Sequence, residues 1–144
     1  CKIKLGLQKK LYLGNLDAKR DWGHAADYVE AMWKILQQKN PDDFVIATGK
    51  QYSVKEFVNF VAKKLNMKII WKGKGINEKA IDFLTKKIIV QCDKNYFRPL
   101  DVNTLLGDAK KARKKLNWKP KIGINQLVDD MVIEQLSELE KYAK

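Results

Sequence analysis

The stretch Leu11–Ala47, LYLGNLDAKRDWGHAADYVEAMWKILQQKNPDDFVIA, decides the fold class. Residues 11–15, LYLGN, form a strand-length apolar run closed by a Gly-Asn turn. Ala25, Tyr28, Val29, Met32, Ile35 and Leu36 then recur at helical spacing, which predicts a helix from Ala25 to Gln38. Asn40-Pro41 stops it, because proline cannot continue a helix and biases its predecessor away from helical geometry. Asp43–Ala47, DFVIA, is again of strand length and runs into the breaker Thr48-Gly49. Strands alternating with helices predict an α/β class.

The rest of the chain repeats this alternation. Ser53-Val54-Lys55-Glu56 is a capping box, in which the serine hydroxyl and the glutamate carboxylate satisfy each other's backbone N–H. Behind it Val54, Phe57, Val58, Val61 and Leu65 make an apolar stripe. Lys68–Trp71 reads as a strand ending at Gly73-Lys74-Gly75, residues 76–87 have no clear period, and Ile88–Gln91 is strand-like. Asp108 can cap a short helix carrying Ala109, Ala112 and Leu116, which Trp118-Lys119-Pro120 ends. The last helix runs from Ile124 to Tyr142, with Leu127, Val128, Met131, Leu136 and Leu139 on one face. No repeat or linker interrupts residues 1–144, which read as one domain or part of a larger one.

A chain of 144 residues can bury roughly 68–70% of its unfolded surface, enough for a real core. The net charge of +12 invites a nucleic-acid reading, but 26 of the 29 basic residues are Lys and only Arg20, Arg98 and Arg113 are Arg. Arginine reads guanine edges and stacks on bases, whereas lysine is a solvated point charge. These lysines are spread along the chain, so the expectation is no nucleic-acid partner. No apolar run approaches the roughly 20 residues that span a bilayer, so no membrane partner is expected either. The first ten residues lack the continuous apolar stretch of a signal peptide. Two cysteines make no disulfide framework and suit a reducing cytoplasm; with a single His24 they also miss the common zinc spacings. A start at Cys1 suggests a piece of something longer.

No catalytic constellation is complete. His24 is the only imidazole, and there is neither a nucleophile elbow nor a Gly-rich dinucleotide loop. Arg20 and Arg98 stand out because this chain otherwise chooses lysine and both lie in loops. A guanidinium fork grips a carboxylate or phosphate bidentately. Equally, each could pair with a local carboxylate, Asp21 or Asp101, or cap carbonyls, and both readings stay open at this level. Asp27 reads as a structural acceptor at a helix start, His24 as a packed or capping residue, and Trp22 and Trp118 as core.

Four strings, Gly14–Trp33, Asp43–Val58, Tyr96–Pro120 and the closing helix, resemble the C-terminal portion of the GDP-mannose 4,6-dehydratases, from Ile3 to Leu139 and least at 74–87. These enzymes belong to the extended short-chain dehydrogenase/reductase family. The resemblance rests on the ordered runs Arg20-Asp21-Trp22-Gly23-His24, Arg98-Pro99-Leu100-Asp101, Leu106-Gly107-Asp108 and Leu116-Asn117-Trp118-Lys119-Pro120. It implies a Rossmann-type α/β fold with the N-terminal Rossmann half absent, so that this chain is a substrate-binding portion inactive by itself. The absent half would bind NADP and carry the catalytic Tyr and Lys. It further implies the conversion of GDP-mannose to GDP-4-keto-6-deoxymannose: hydride passes from sugar C4 to NADP⁺, water leaves from C5–C6, and the hydride returns to C6. By the same resemblance Arg20 and Arg98 hold the substrate diphosphate and Asp101 the ribose hydroxyls, with Asn15 and Lys19 in the same loop. A homo-oligomer is implied for the full-length protein. A related nucleotide-sugar epimerase or reductase, or a stand-alone basic RNA-binding module, are the alternatives.

Overall fold

A computed structural model describes residues 1–98 and 102–142. In chain order the elements are β1 (Leu11–Leu13), β2 (Lys19–Arg20), α1 (Ala25–Leu36), β3 (Tyr52–Ser53), α2 (Val54–Lys64), β4 (Ile69–Lys72), β5 (Lys79–Asp82), β6 (Ile88–Cys92), α3 (Lys110–Leu116) and α4 (Ile124–Tyr142). A four-stranded mixed sheet has the order β1-β6-β5-β4; β1 and β6 run parallel, the other two pairs antiparallel. A separate ribbon pairs β2 with β3, Arg20 opposite Tyr52. The class is α/β, as the alternation requires.

Local chemistry sets the helix ends. His24 Nδ1 accepts the Ala26 N–H and caps α1. The Ser53–Glu56 capping box forms in both directions at α2; a cap of this kind is worth about 1 kcal/mol. Asp108 accepts the Lys110 N–H at α3, and Asn117, in the left-handed region at φ 48°, ends that helix. Gly23 has no Cβ because one would sit 2.1 Å from the Tyr28 ring that closes over it.

Three apolar clusters hold these elements. Ala31 of α1 meets Ala47, Ala109, Ala112, Leu116 and the fully buried Trp118. Leu65, Val128 and Val132 join the end of α2 to α4, and Ala80, Ile89 and Val90 of the sheet pack on Val58. Helix α2 therefore lies between sheet and α4. Asp27, 3% exposed, is structural as expected, but across the chain rather than at its own helix start. Its Oδ2 accepts the N–H of Lys121 and of Ile122, and its carbonyl accepts the Trp118 indole N–H.

Two expectations change. Asp43–Ala47 is not a strand, because within the described residues no neighbour offers it a ladder; Phe44 and Ile46 pack on the Trp118 cluster while Val45 faces out. On α4 the buried register is Val128, Val132 and Leu139, and Met131 is exposed. Helix α1 also leaves Val29, Met32, Trp33 and Leu36 in solvent. No helix among the described residues is long and apolar enough to cross a membrane.

Candidate functional site

The candidate site is a cluster of loops gathered by residues 14–20. Asn15 closes its turn by accepting the Asp17 N–H on Oδ1, so its side chain is used locally. Lys19 contributes its backbone to two neighbours: it pairs with Ser53 across the ribbon and, on the other side, donates its N–H to Asn103 O and accepts from Leu105 N. Its side chain is exposed. Arg20 Nη1 donates to the carbonyls of Lys19 and Val102, at 2.8 and 2.7 Å.

Arg98 follows a segment held against the start of the same loop. Asp93 N–H donates to Leu13 O, and Cys92 Sγ to Gly14 O. Gly14 is required there, because a Cβ would stand 2.2 Å from the Tyr96 carbonyl oxygen, two residues before Arg98. The chain thus reaches exposed Arg98 from beside Gly14 and is next held, at Val102, by Arg20. Four residues separate the two points, a reach of at most about 14 Å. Asn15, Lys19 and Arg20 therefore share one loop, and the described residues on either side of 99–101, Tyr96 and Val102, lie against Gly14 and Arg20 of that loop. Asp101 lies outside the described residues.

The ribbon carrying Arg20 is clamped by a residue whose part the sequence did not reveal. Asp21 does not serve merely as a charge beside Arg20: its Oδ1 accepts the Thr48 N–H and hydroxyl at 2.9 and 2.6 Å, and its Oδ2 the Gly49 N–H at 2.8 Å. Gly49 at φ 78° makes that turn possible. The only advance signal was the Thr-Gly breaker. Trp22 packs on Phe57 at 4.7 Å between centroids and donates its indole N–H to Tyr52 O, which braces the ribbon from below. His24 Nε2 lies 3.5 Å from Asp130 Oδ2, so this histidine is a cap and a tie to α4 rather than a base facing the arginines. Burial, then the nearby Asp21 and Asp27 charges, raise the Tyr28 hydroxyl above its ordinary value and keep it protonated.

The described residues do not fit a dinucleotide. Strand β1 runs into the Asn15 turn, not into a helix, and β3 passes straight into α2 through Ser53, so neither presents a glycine cradle at a helix N-terminus.

The model of the family described as GDP-mannose 4,6 dehydratase matches residues 1–131. The GDP-mannose 4,6-dehydratase of Vibrio cholerae is 46% identical over 151 residues, covering 98% of this chain and 41% of its own length. The human GDP-mannose 4,6 dehydratase is 52% identical over 132 residues, covering 92% of this chain and 36% of its own. Among solved structures, RMD from Pseudomonas aeruginosa, complexed with NADPH, superposes with a TM-score of 0.72 at 18% identity, over 95% of this chain and 39% of that one. The fold is accordingly a portion of the extended short-chain dehydrogenase/reductase architecture, and the chain spans about two fifths of the relatives it matches. With nine tenths of its length inside the family model and about half of its residues shared with those enzymes, this chain belongs to the GDP-mannose 4,6-dehydratase family.

Proposed function

We propose that this chain is the substrate-binding portion of a GDP-mannose 4,6-dehydratase, residues 1–144 forming a partial domain that holds GDP-mannose by its diphosphate. The supporting observation is that Tyr96, two residues before Arg98, lies against Gly14, while Val102, four residues after Arg98, is held by the Arg20 guanidinium. Two planar forks delivered to one loop cluster suit a pyrophosphate, whose oxygens accept paired N–H bonds. Arg20 Nη1 holds the Lys19 and Val102 carbonyls, contacts that fix the side chain within the loop. Asp101 would take the ribose hydroxyls, and Lys19 adds positive charge from the adjoining strand. Holding the nucleotide rigidly is how such an enzyme presents the hexose to its hydride acceptor. The hydride chemistry, with NADP, belongs to parts of the family's proteins that this chain does not span, so the 144 residues bind substrate without turning it over.

The test is a titration of the chain with GDP-mannose, GDP and a random oligonucleotide at physiological salt, followed by incubation with GDP-mannose and NADP⁺. Saturable binding of both nucleotides and no 4-keto product are expected. Steeply salt-dependent oligonucleotide binding without a nucleotide response would overturn the substrate reading in favour of a basic RNA-binding module. Product formation would overturn the assignment of catalysis to other parts of the family's proteins.

A further inference from the structure

The third arginine of this lysine-rich chain is not used by the cluster above. Arg113 lies on α3 within the run Lys110-Lys111-Ala112-Arg113-Lys114-Lys115 and lines a cleft of about 430 Å³. Its Nη2 donates to the Thr48 carbonyl at 3.3 Å, which orients the fork and leaves its other donors available. Gly49 beside it has no room for a side chain without crowding that guanidinium: a Cβ would lie 3.2 Å from Nη2.

The other walls are Lys50 and Tyr52 from the ribbon side, Lys119 from the loop after α3, and Gly123 and Ile124 at the start of α4. The first residue of that 19-residue helix lines the same space, where the helix carries the positive end of its dipole. Among the described residues no acidic one lines the cleft. Asp21 is engaged by Thr48 and Gly49, Asp27 by Lys121 and Ile122, and Asp108, which feels the Arg113 charge, by Lys110. Lys121 pairs with Glu30, whereas Lys50, Arg113 and Lys119 enter none of the ion pairs among the described residues. Three cations from three segments and a helix N-terminus thus face one cavity of ligand size, with the Trp22 and Tyr52 rings as apolar wall.

We propose that this cleft is a second anion site, distinct from the Arg20/Arg98 cluster, which takes the phosphate of a phosphorylated small molecule. The guanidinium fork meets two phosphate oxygens, Lys50 and Lys119 supply charge from the rim, and the α4 N-terminus receives the remaining negative charge. Neither Arg20 nor Arg98 lines it.

The experiment is calorimetric titration of inorganic pyrophosphate into the 144-residue chain at about 0.15 M salt, where the screening length near 8 Å removes diffuse attraction. Lys119→Gln and Lys50→Gln, both exposed, spare the fold; Arg113→Gln tests the fork, with circular dichroism as a folding control. Each cleft variant should weaken one binding event at least fivefold, while Lys79→Gln on β5 changes it less than twofold. Arg20→Lys should leave that event unaltered and weaken a separate one. If the diphosphate reading of Arg20 and Arg98 fails, a single event remains, and the cleft variants still remove it. Titrations of a sugar monophosphate and of GDP, compared across the same variants, tell a phosphomonoester from a nucleotide as the occupant. Binding that ignores Lys119→Gln and Lys50→Gln, falls equally with Lys79→Gln, or is absent would overturn the proposal.

Discussion

Replacing Asp21 by Asn probes how the ribbon that carries Arg20 is held. The carboxylate receives three short hydrogen bonds, two from Thr48 and one from Gly49. A hydrogen bond to an ionised partner contributes about 1.5–3 kcal/mol net, a neutral one about 1. Asparagine keeps one oxygen for Thr48, in neutral and weaker form, but turns an NH₂ group toward the Gly49 N–H, where donor faces donor. The half-exposed site discounts the sum, and the expected loss is about 2–3 kcal/mol. Urea unfolding followed by tryptophan fluorescence reads it; with a slope of about 1–3 kcal/mol per molar, the midpoint should fall by roughly 1–2 M. Thr48→Val removes one of the donors, so the double variant should lose less than the two single losses added together. A midpoint within about 0.3 M of the parent chain, with losses that simply add, would refute the clamp.

Trp118→Ala should destabilise the chain by about 3–5 kcal/mol, because it empties the cluster between α1 and α3 and removes the indole hydrogen bond to the Asp27 carbonyl; thermal or urea unfolding checks it. Acid should weaken the tie between the 42–43 turn and α3. Hydrogen bonds from Lys111 and Lys115 hold the Asp42 carboxyl down to about 2. Its stabilisation is therefore present above the unfolded value near 3.8 and is lost as pH falls toward 2. The melting temperature of Asp42→Asn should accordingly drop less than that of the parent between pH 5 and 2.5. The chain alone should self-associate through Met32, Trp33 and Leu36, and Trp33→Glu with Leu36→Lys should shift it toward monomer in light scattering.

Where short-range chemistry decides, the sequence was legible. The Ser53–Glu56 box and the ends of α4 formed where residue type and spacing put them, whereas α3 starts one residue later than expected, with Ala109 at the cap and Asp108 reaching the Lys110 N–H from the residue before it. Leu11–Leu13 and Ile88–Cys92 were visible as strands, though not that they pair in parallel, Leu11 opposite Val90 and Leu13 opposite Cys92. β5 was obscured because Lys79–Asp82 is four residues long and buries a carboxylate that turns back to cap Thr85, so no alternation appears. Asp43–Ala47 misled for the opposite reason: its residues suit a strand, but strand formation needs a partner, and sequence pattern cannot supply one. In the site, the scarcity of arginine marked Arg20 and Arg98. The contacts around them, Arg20 to Val102 and Gly14 against Tyr96, span 82 residues each and lie beyond any local pattern. Asp21 was hidden likewise, since its acceptors serve a turn 27 residues away.

A double-mutant cycle on GDP affinity tests the central claim most directly, using the parent chain, Arg20→Lys, Arg98→Lys and the pair, by calorimetry at fixed salt. Lysine keeps the charge and removes the fork, so each single change should weaken GDP about tenfold, or 1.4 kcal/mol. If both guanidiniums grip one diphosphate, the pair should depart from additivity by at least about 0.5 kcal/mol. Strictly additive losses, or an affinity that neither substitution alters, would contradict the convergence of the two arginines on a single ligand.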